Sequence, residues 1–109
     1  MRLESYLLME SSSIYYGKVV NNLDTTVRVN IANYGWDGTG SYHVTIKPHS
    51  ETTLFGLSKE GFRDFILNGG TPEVKKFNSG KGFLCVFNIN RLHENKKESI
   101  VGIYIGRFQ

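Results

Sequence analysis

The sequence predicts a mainly β protein, folded as a compact antiparallel β-sandwich or barrel with one short helix near residues 58–68. Runs that alternate apolar and polar side chains recur along the chain, and a period of two is typical of a strand with one buried face. Clusters of Gly, Asn, Asp and Ser separate these runs and mark turns. With 109 residues, of which 39% are hydrophobic, the chain has the size and composition of a single domain, residues 1–109.

The first predicted strand is residues 14–20, and the clearest element is the hairpin at residues 25–47 that follows the turn cluster NNLD. The two strands of this hairpin alternate on either side of the loop GWDGTG, whose glycines tolerate a positive φ. Alternation assigns six residues to the core: Val27, Val29, Ile31, Tyr42, Val44 and Ile46. Pairing Ile31 near Ile46 keeps both apolar sets on one face. This register predicts two further pairs, Tyr34 with His43 and Asn30 with Lys47.

A helix is predicted in the segment SKEGFRDFILNGG, after a short strand at residues 51–55. Ser58 is a good N-cap residue, and three apolar side chains follow at helical spacing, namely Phe62, Phe65 and Ile66. The glycine pair Gly69 and Gly70 ends the helix. A hairpin is the alternative, because Gly61 weakens a helix by roughly 1 kcal/mol relative to alanine.

The last third of the chain returns to strands, at VKKF, FLCVFNINRL and IVGIYIGRF. The run FLCVF is apolar on both faces, as expected for a central strand. In the final strand, alternation directs Val101, Ile103 and Ile105 inward. Residues 1–13 are expected to be a flexible extension or an edge strand.

Charge and cysteine content exclude several classes of protein. The net charge is +3, and the basic residues lie in short scattered groups, whereas nucleic-acid-binding proteins concentrate them on one face. The single cysteine, Cys85, excludes an intramolecular disulfide and a multi-cysteine zinc site. It lies inside the apolar run FLCVF, which favours a buried thiol.

The N-terminal segment is too short and too interrupted by acidic residues to be a signal peptide. No stretch of the sequence approaches the roughly 20 apolar residues of a transmembrane helix. We therefore expect a protein of the cytoplasm, or one that is secreted without a recognisable signal peptide.

The sequence contains no motif that indicates an enzyme, a cofactor or a metal site. Nucleotide-binding glycine loops, zinc-protease helices and nucleophile elbows are missing. Three histidines are present, at positions 43, 49 and 93, and their spacing does not suggest a shared metal ion. We expect a protein without catalytic activity, cofactor or bound metal.

The candidate ligand site is the polar face and loop of the hairpin. Strand parity places Tyr34 and the only tryptophan, Trp36, on the side of Arg28 and Asn30. Aromatic rings beside polar groups form a stacking platform for a sugar, a lipid head group or a nucleotide-like ligand. The predicted ligand-binding residues are Arg28, Asn30, Tyr34, Trp36, Asp37, Ser41 and His43. The alternative is structural, with Trp36 folded over the end of the hairpin onto Tyr34 or packed under the NNLD turn.

Over residues 19–106 the order of motifs resembles that of the cytolysin–lectin β-sandwiches, which include the actinoporins and the fungal lectins. The motifs are VVNNLDTTVRVNIANY, GTGS, PHSETTLFG, SGKGFLCVFNIN and IVGIYIG. The resemblance implies a β-sandwich that binds phosphocholine lipids and inserts an N-terminal amphipathic helix to form pores, with Ser41 in the position of a head-group residue.

The sequence also departs from this family. Asn88, Ile89 and Asn90 occupy the positions of the family's Ser-x-Pro, the loop RLHENKKES has no aromatic residue, and residues 1–13 are too few for the pore helix. The resemblance therefore supports the fold and a lectin-like or head-group-binding role more than pore formation.

Three hypotheses for function follow. The first is a non-enzymatic binding module that recognises a small ligand through the hairpin. The second is a protein–protein interaction module, such as a small bacterial or viral inhibitor or immunity-type protein, in which an exposed strand such as VKKF pairs with a partner's sheet. The third is a relative of the cytolysins that binds membrane surfaces but lacks a pore helix of its own.

Overall fold

The computed structural model describes residues 14–37, 39–77, 80–91, 98–100 and 103–107. Within these residues the elements in chain order are β1 (Ile14–Asn21), β2 (Val27–Tyr34), β3 (Gly40–Ile46), β4 (Phe55–Leu57), α1 (Lys59–Leu67), β5 (Thr71–Phe77), β6 (Gly80–Ile89), β7 (Glu98–Ile100) and β8 (Ile103–Arg107). Residues 1–13, for which an extension or an edge strand was expected, lie outside the described residues, as does Val101. The side chains of Ile103 and Ile105 are also not described, so their predicted inward orientation stays a prediction.

The described strands are hydrogen-bonded in one path, β5-β6-β1-β4-β2-β8-β7, with β3 beside β2. The path divides between β4 and β2 into two sheets, β5-β6-β1-β4 and β3-β2-β8-β7. The sheets meet at one corner, where Tyr34 at the end of β2 pairs with Leu57 of β4. In the part of the chain that is described, β5 pairs only with β6 and β7 only with β8, so the sheets do not close into a barrel. The prediction of a mainly β sandwich with one short helix is confirmed, and of the two architectures it allowed, the sandwich is the one observed.

One strand pair departs from the antiparallel pattern predicted for the sandwich. β1 and β6 lie side by side in parallel, with Tyr15 opposite Phe83 and Val19 opposite Phe87. Parallel neighbours need a long connection between them, and here the connection contains the hairpin, the helix and β5. Such a pairing between strands distant in sequence leaves no local signal in the sequence.

The core lies between the sheets and under the helix. From β2, Val27, Val29 and Ile31 are buried, as alternation predicted. The helix contributes two phenylalanines, and the ring of Phe62 lies 5.1 Å from that of Tyr15. The ring of Phe65 lies between those of Phe55 and Phe87, at centroid distances of 5.9 and 6.4 Å. Burial of these rings positions α1 across the sheet that contains β1 and β6.

The helix begins where its cap was predicted. The Ser58 hydroxyl accepts a hydrogen bond from the backbone N–H of Gly61 at 3.1 Å, which satisfies one of the donors that a helix leaves unpaired at its first turn. Gly69 has a φ of 108° just beyond the last turn, a backbone conformation that glycine adopts with the least strain and that commonly ends helices. The hairpin alternative for this segment is therefore wrong.

Two strand boundaries differ from the predicted ones. The short strand predicted at residues 51–55 is found at Phe55–Leu57. Residues 51 and 52 instead form an isolated antiparallel bridge beside β1, in which the Thr52 hydroxyl accepts a hydrogen bond from the Val19 N–H at 3.1 Å. The final strand, predicted at residues 100–108, is found as β8, and a separate strand β7 at Glu98–Ile100 pairs with it in antiparallel fashion. Most of β7 lies in the segment that the sequence predicted as a polar loop.

Asn21 links the two sheets at the end of β1. Its side chain is fully buried, and its amide nitrogen lies 2.9 to 3.1 Å from the backbone oxygens of Thr25, Ile46 and Lys47. Its amide oxygen accepts a hydrogen bond from the Leu23 N–H at 2.9 Å. A buried amide needs such partners to offset its lost hydration, so Asn21 fixes the turn into β2 and the end of β3 together.

Candidate functional site

The hairpin has a different register from the predicted one. Asn30 is opposite His43 and Ile31 is opposite Tyr42, whereas the prediction paired Asn30 with Lys47 and Tyr34 with His43. The two registers differ by four residues, and an even shift keeps every apolar side chain on the core face. The hydrophobic pattern therefore could not distinguish them, and the observed register closes a shorter loop, residues 35–39.

Four of the predicted site residues lie on the polar face of β2 and β3. Arg28, Ser41 and His43 are exposed, and Asn30 is half-buried. Asn30 and His43 are directly opposite each other, and the backbone of Tyr104 in β8 pairs with Asn30 on its other side. The Asn30 Oδ1 is buried and has no hydrogen-bond partner among the described residues. We call these four residues the polar row.

A β-bulge separates the polar row from the loop. It lies between Ala32 and Tyr34, and the pairing of β2 with β3 shifts by one residue there. A bulge breaks the alternation of side chains, so the parity that grouped Tyr34 and Trp36 with Arg28 does not continue beyond Ala32. The backbone of Tyr34 is opposite Gly40 and Leu57, and its side chain lies outside the description.

Trp36 is exposed and held in place. Its side chain is 58% exposed, and a Cβ added at Gly56 would lie only 2.7 to 2.8 Å from its indole atoms Cε2, Cδ2 and Cζ2. Near-equal distances to three ring atoms mean that one flat face of the indole covers Gly56. Tyr16 packs against the same indole. The centroids of the Tyr16 and Trp36 rings lie 5.2 Å apart, and their planes are nearly perpendicular, at an angle of 81°.

The backbone of the loop is fixed to the same strand. Gly35 adopts a φ of 97°, a region in which glycine meets no steric penalty. Its N–H donates to the carbonyl oxygen of Gly56 at 3.0 Å. The indole and the backbone that carries it are therefore both held against β4.

Asp37 follows Trp36 and is tied to the loop by Thr39. One carboxylate oxygen, Oδ1, accepts hydrogen bonds from the Thr39 N–H at 3.1 Å and from the Thr39 hydroxyl at 2.9 Å. The backbone hydrogen bond from Thr39 is the main cause that lowers the pKa of Asp37 below its ordinary value, because it stabilises the charged form. Asp37 thus presents an exposed carboxylate one residue after Trp36.

The predicted residues therefore fall into two groups. The polar row belongs to the middle of β2 and β3, while Trp36 and Asp37 lie beyond the end of β2, where Trp36 packs against β1 and β4. The four steps of strand from Asn30 to Tyr34 alone span roughly 13 Å. The described side chains of Arg28 and Trp36 therefore belong to separate parts of the surface, and the alternation that predicted one platform does not continue through the bulge.

Two residues that support Trp36 were not among the predicted ones, Tyr16 and Gly56. Gly56 has an indirect signal in the sequence, because it lies between Phe55 and Leu57 in a strand, and glycine within a strand often marks close approach by another group. Tyr16 is directly opposite Gly56 on the neighbouring strand, but nothing in the sequence connects it with Trp36.

The aromatic pair continues across the outer face of the sheet. Tyr16 is opposite Leu84 of β6, and Leu84 is opposite Glu73 of β5. Leu84 is only 1% exposed although it points away from the main core cluster. Leu84 is therefore covered, and it contributes no exposed apolar surface between Tyr16 and Glu73.

The remaining chemistry of the described residues is sparse. Burial raises the pKa of the Cys85 thiol to about 12, so the sulfur is a packed neutral group, as the sequence predicted. No three His, Cys, Asp or Glu side chains converge on a metal-sized site within the described ranges. No described helix is long and apolar enough to cross a membrane.

Comparison with protein-family models, with curated proteins and with solved structures found no match to this chain. The resemblance to the cytolysin–lectin sandwiches stays a prediction, and function must be inferred from the geometry of the residues.

Proposed function

We propose that this protein is a binding module without catalytic activity, and that it recognises a small neutral hydroxylated ring, such as a sugar, through Trp36 and Asp37. One observation carries the proposal: the indole of Trp36 is 58% exposed while one of its faces is seated on Gly56. An exposed aromatic side chain in the middle of a flexible loop would lose conformational freedom on binding. A ring that is already positioned avoids much of that cost.

The ring offers its second face to a ligand. The apolar face of a sugar ring or a similar ring stacks on an aromatic surface of this kind. The Asp37 carboxylate, next in the chain and exposed, accepts hydrogen bonds from ligand hydroxyl groups. A negative charge at this position disfavours a phosphate-bearing nucleotide or lipid head group, because like charges repel.

Titration of the intrinsic fluorescence tests this function, since Trp36 is the only tryptophan. The probes are a panel of methyl glycosides, with phosphocholine and adenosine monophosphate for comparison. We expect a saturable change in emission with at least one glycoside and none with the phosphate-bearing probes. Failure of every glycoside to give a saturable change would contradict the proposal.

Variants test whether the loop is the binding site. Their binding is measured by calorimetry, because Trp36→Ala removes the tryptophan whose emission is the probe. Trp36→Ala is expected to abolish glycoside binding and Asp37→Asn to weaken it several-fold. His43→Ala is the matched control on the polar row, and it should leave affinity unchanged. If His43→Ala abolished binding and Trp36→Ala did not, the polar row would be the site instead.

A protein–protein interaction module is the second candidate, and the edge strand β5 favours it. This strand pairs on one side only among the described strands, and Glu73, Lys75 and Lys76 on it are exposed. These charges disfavour extension of a partner's sheet by β5, so a partner would contact the exposed side chains of the strand through complementary charge. A charge-reversed Lys75→Glu, Lys76→Glu variant should then lose a stoichiometric partner that the parent chain retains in a pull-down, whereas Trp36→Ala should retain it.

A further inference from the structure

The two longer edge strands of the sandwich are built differently. Among the described strands, β3 and β5 each have seven residues and one neighbour. β5 contains Pro72, Glu73, Lys75 and Lys76, and proline and charge are the usual means by which proteins block pairing at a sheet edge. β3, with the sequence GSYHVTI, contains no proline and no Asp, Glu, Lys or Arg.

The two faces of β3 suit continuation of the sheet. Tyr42 and Val44 are half-buried against the core, so they extend the apolar face to the limit of the sheet. Ser41, His43 and Thr45 alternate with them and are exposed. A strand added beside β3 would cover the apolar pair further and would meet small polar side chains on the outer face.

We propose that the edge of β3 pairs with β3 of a second copy of the chain, in antiparallel register about His43. His43 is the middle residue of the seven, so this register pairs the whole strand. It places Tyr42 of one copy opposite Val44 of the other, and Ser41 opposite Thr45. Both pairs join residues of the same face and like character, and the interface contains no pair of like-charged Asp, Glu, Lys or Arg side chains. A C2 interface requires this kind of self-complementarity.

The pairing joins the two β3-containing sheets into one continuous sheet. Two strands of this length bury less than the roughly 1,200 Å² of a stable interface, so the dimer forms at micromolar concentrations or above. Antiparallel pairing brings Gly40 of one copy beside Ile46 of the other, and the loops that carry Trp36 then lie at opposite ends of the shared strands. The dimer is bivalent, which favours surfaces with repeated ligands.

Sedimentation equilibrium from about 5 to 500 µM protein tests the dimer. The mass should rise with concentration from the 12.4 kDa of one chain toward twice that value. A variant with Ser41→Glu and Thr45→Glu faces like charges across both pairs and should remain monomeric. A variant with Ser41→Lys and Thr45→Glu faces opposite charges across the same pairs and should dimerise again.

The control variant carries Thr53→Glu and Thr71→Glu. It adds the same two negative charges as the Ser41→Glu, Thr45→Glu variant, but at exposed positions outside β3. It should dimerise as the parent chain does, and circular dichroism of each variant checks that the fold is kept. A monomeric mass of the parent chain at every concentration would overturn the proposal. So would a dimer that the Ser41→Glu, Thr45→Glu variant still forms, because another surface would then make the contact.

Discussion

The two sheets are connected at both ends of β2, and the two connections are chemically opposite. Near the start of β2, the buried amide of Asn21 bonds to backbone groups of the turn and of β3. Beyond its end, Trp36 covers Gly56 from outside, with more than half of its surface in solvent. The first connection is made by the hydrogen bonds of a buried side chain, and the second is made by an exposed ring.

This difference separates stability from recognition. Removing a buried amide leaves its partners without hydrogen bonds and without water, which is costly. Removing an exposed ring loses little burial, so the ring is available for another use. Substitutions at the Asn21 end should therefore change the free energy of unfolding. Substitutions at the Trp36 end should mainly change the exposed surface that is available for binding.

The largest effect is expected for Asn21→Ala. It leaves the carbonyl oxygens of Ile46 and Lys47 and the N–H of Leu23 without their side-chain partner. The free energy of unfolding should fall by about 3 kcal/mol, measured by urea denaturation.

Asn22→Ala is the matched control for this substitution. The Asn22 amide donates to Asn88 and Asn90 at 3.1 and 2.9 Å, but at an exposed position. Its loss should cost less than about 0.5 kcal/mol. Equal effects of the two substitutions would mean that Asn21 does not link the sheets more strongly than a surface asparagine.

The second-largest effect is expected for Gly17→Ala, on the core-facing side of the β1–β4 strand pair. A Cβ at Gly17 would lie 2.5 Å from Phe55 Cε2 and 2.9 Å from Leu57 Cδ1, both buried in the core. Gly17→Ala should lower the free energy of unfolding by about 2 kcal/mol, as overpacked cores do, measured by thermal and urea denaturation. An unchanged stability would show that the two core side chains move aside at little cost.

Local patterns in the sequence predicted the parts of the fold that depend on local physics. The alternation in residues 25–34 found the buried face of β2, and Ser58 with its following phenylalanines found the helix. Sheet neighbours were not predictable, because the parallel pairing of β1 with β6 depends on residues far apart in the chain. The register of the hairpin was also ambiguous, since an even shift preserves the apolar face.

The candidate site was predictable only in part, for a related reason. Glycine and aspartate around Trp36 marked a loop, but the bulge after Ala32 ended the alternation on which the predicted platform depended. The support of the indole comes from Tyr16 and Gly56 on other strands. Contacts of this kind depend on how the two sheets meet, which no short stretch of sequence specifies.

The smallest effect on stability, and the most informative one for the loop, is expected for Gly56→Ala. This residue lies on the outer face of the strand pair whose inner face contains Gly17, and its new Cβ would meet the indole of Trp36. The ring is exposed and can move into solvent, so the free energy of unfolding should change by less than about 0.5 kcal/mol. The Trp36 emission should shift to longer wavelength, and the near-ultraviolet circular dichroism of the Tyr16–Trp36 pair should decrease. Unchanged spectra would contradict the seating of the ring on Gly56, and a loss of stability as large as that of Gly17→Ala would make Trp36 a structural cover instead of a free surface.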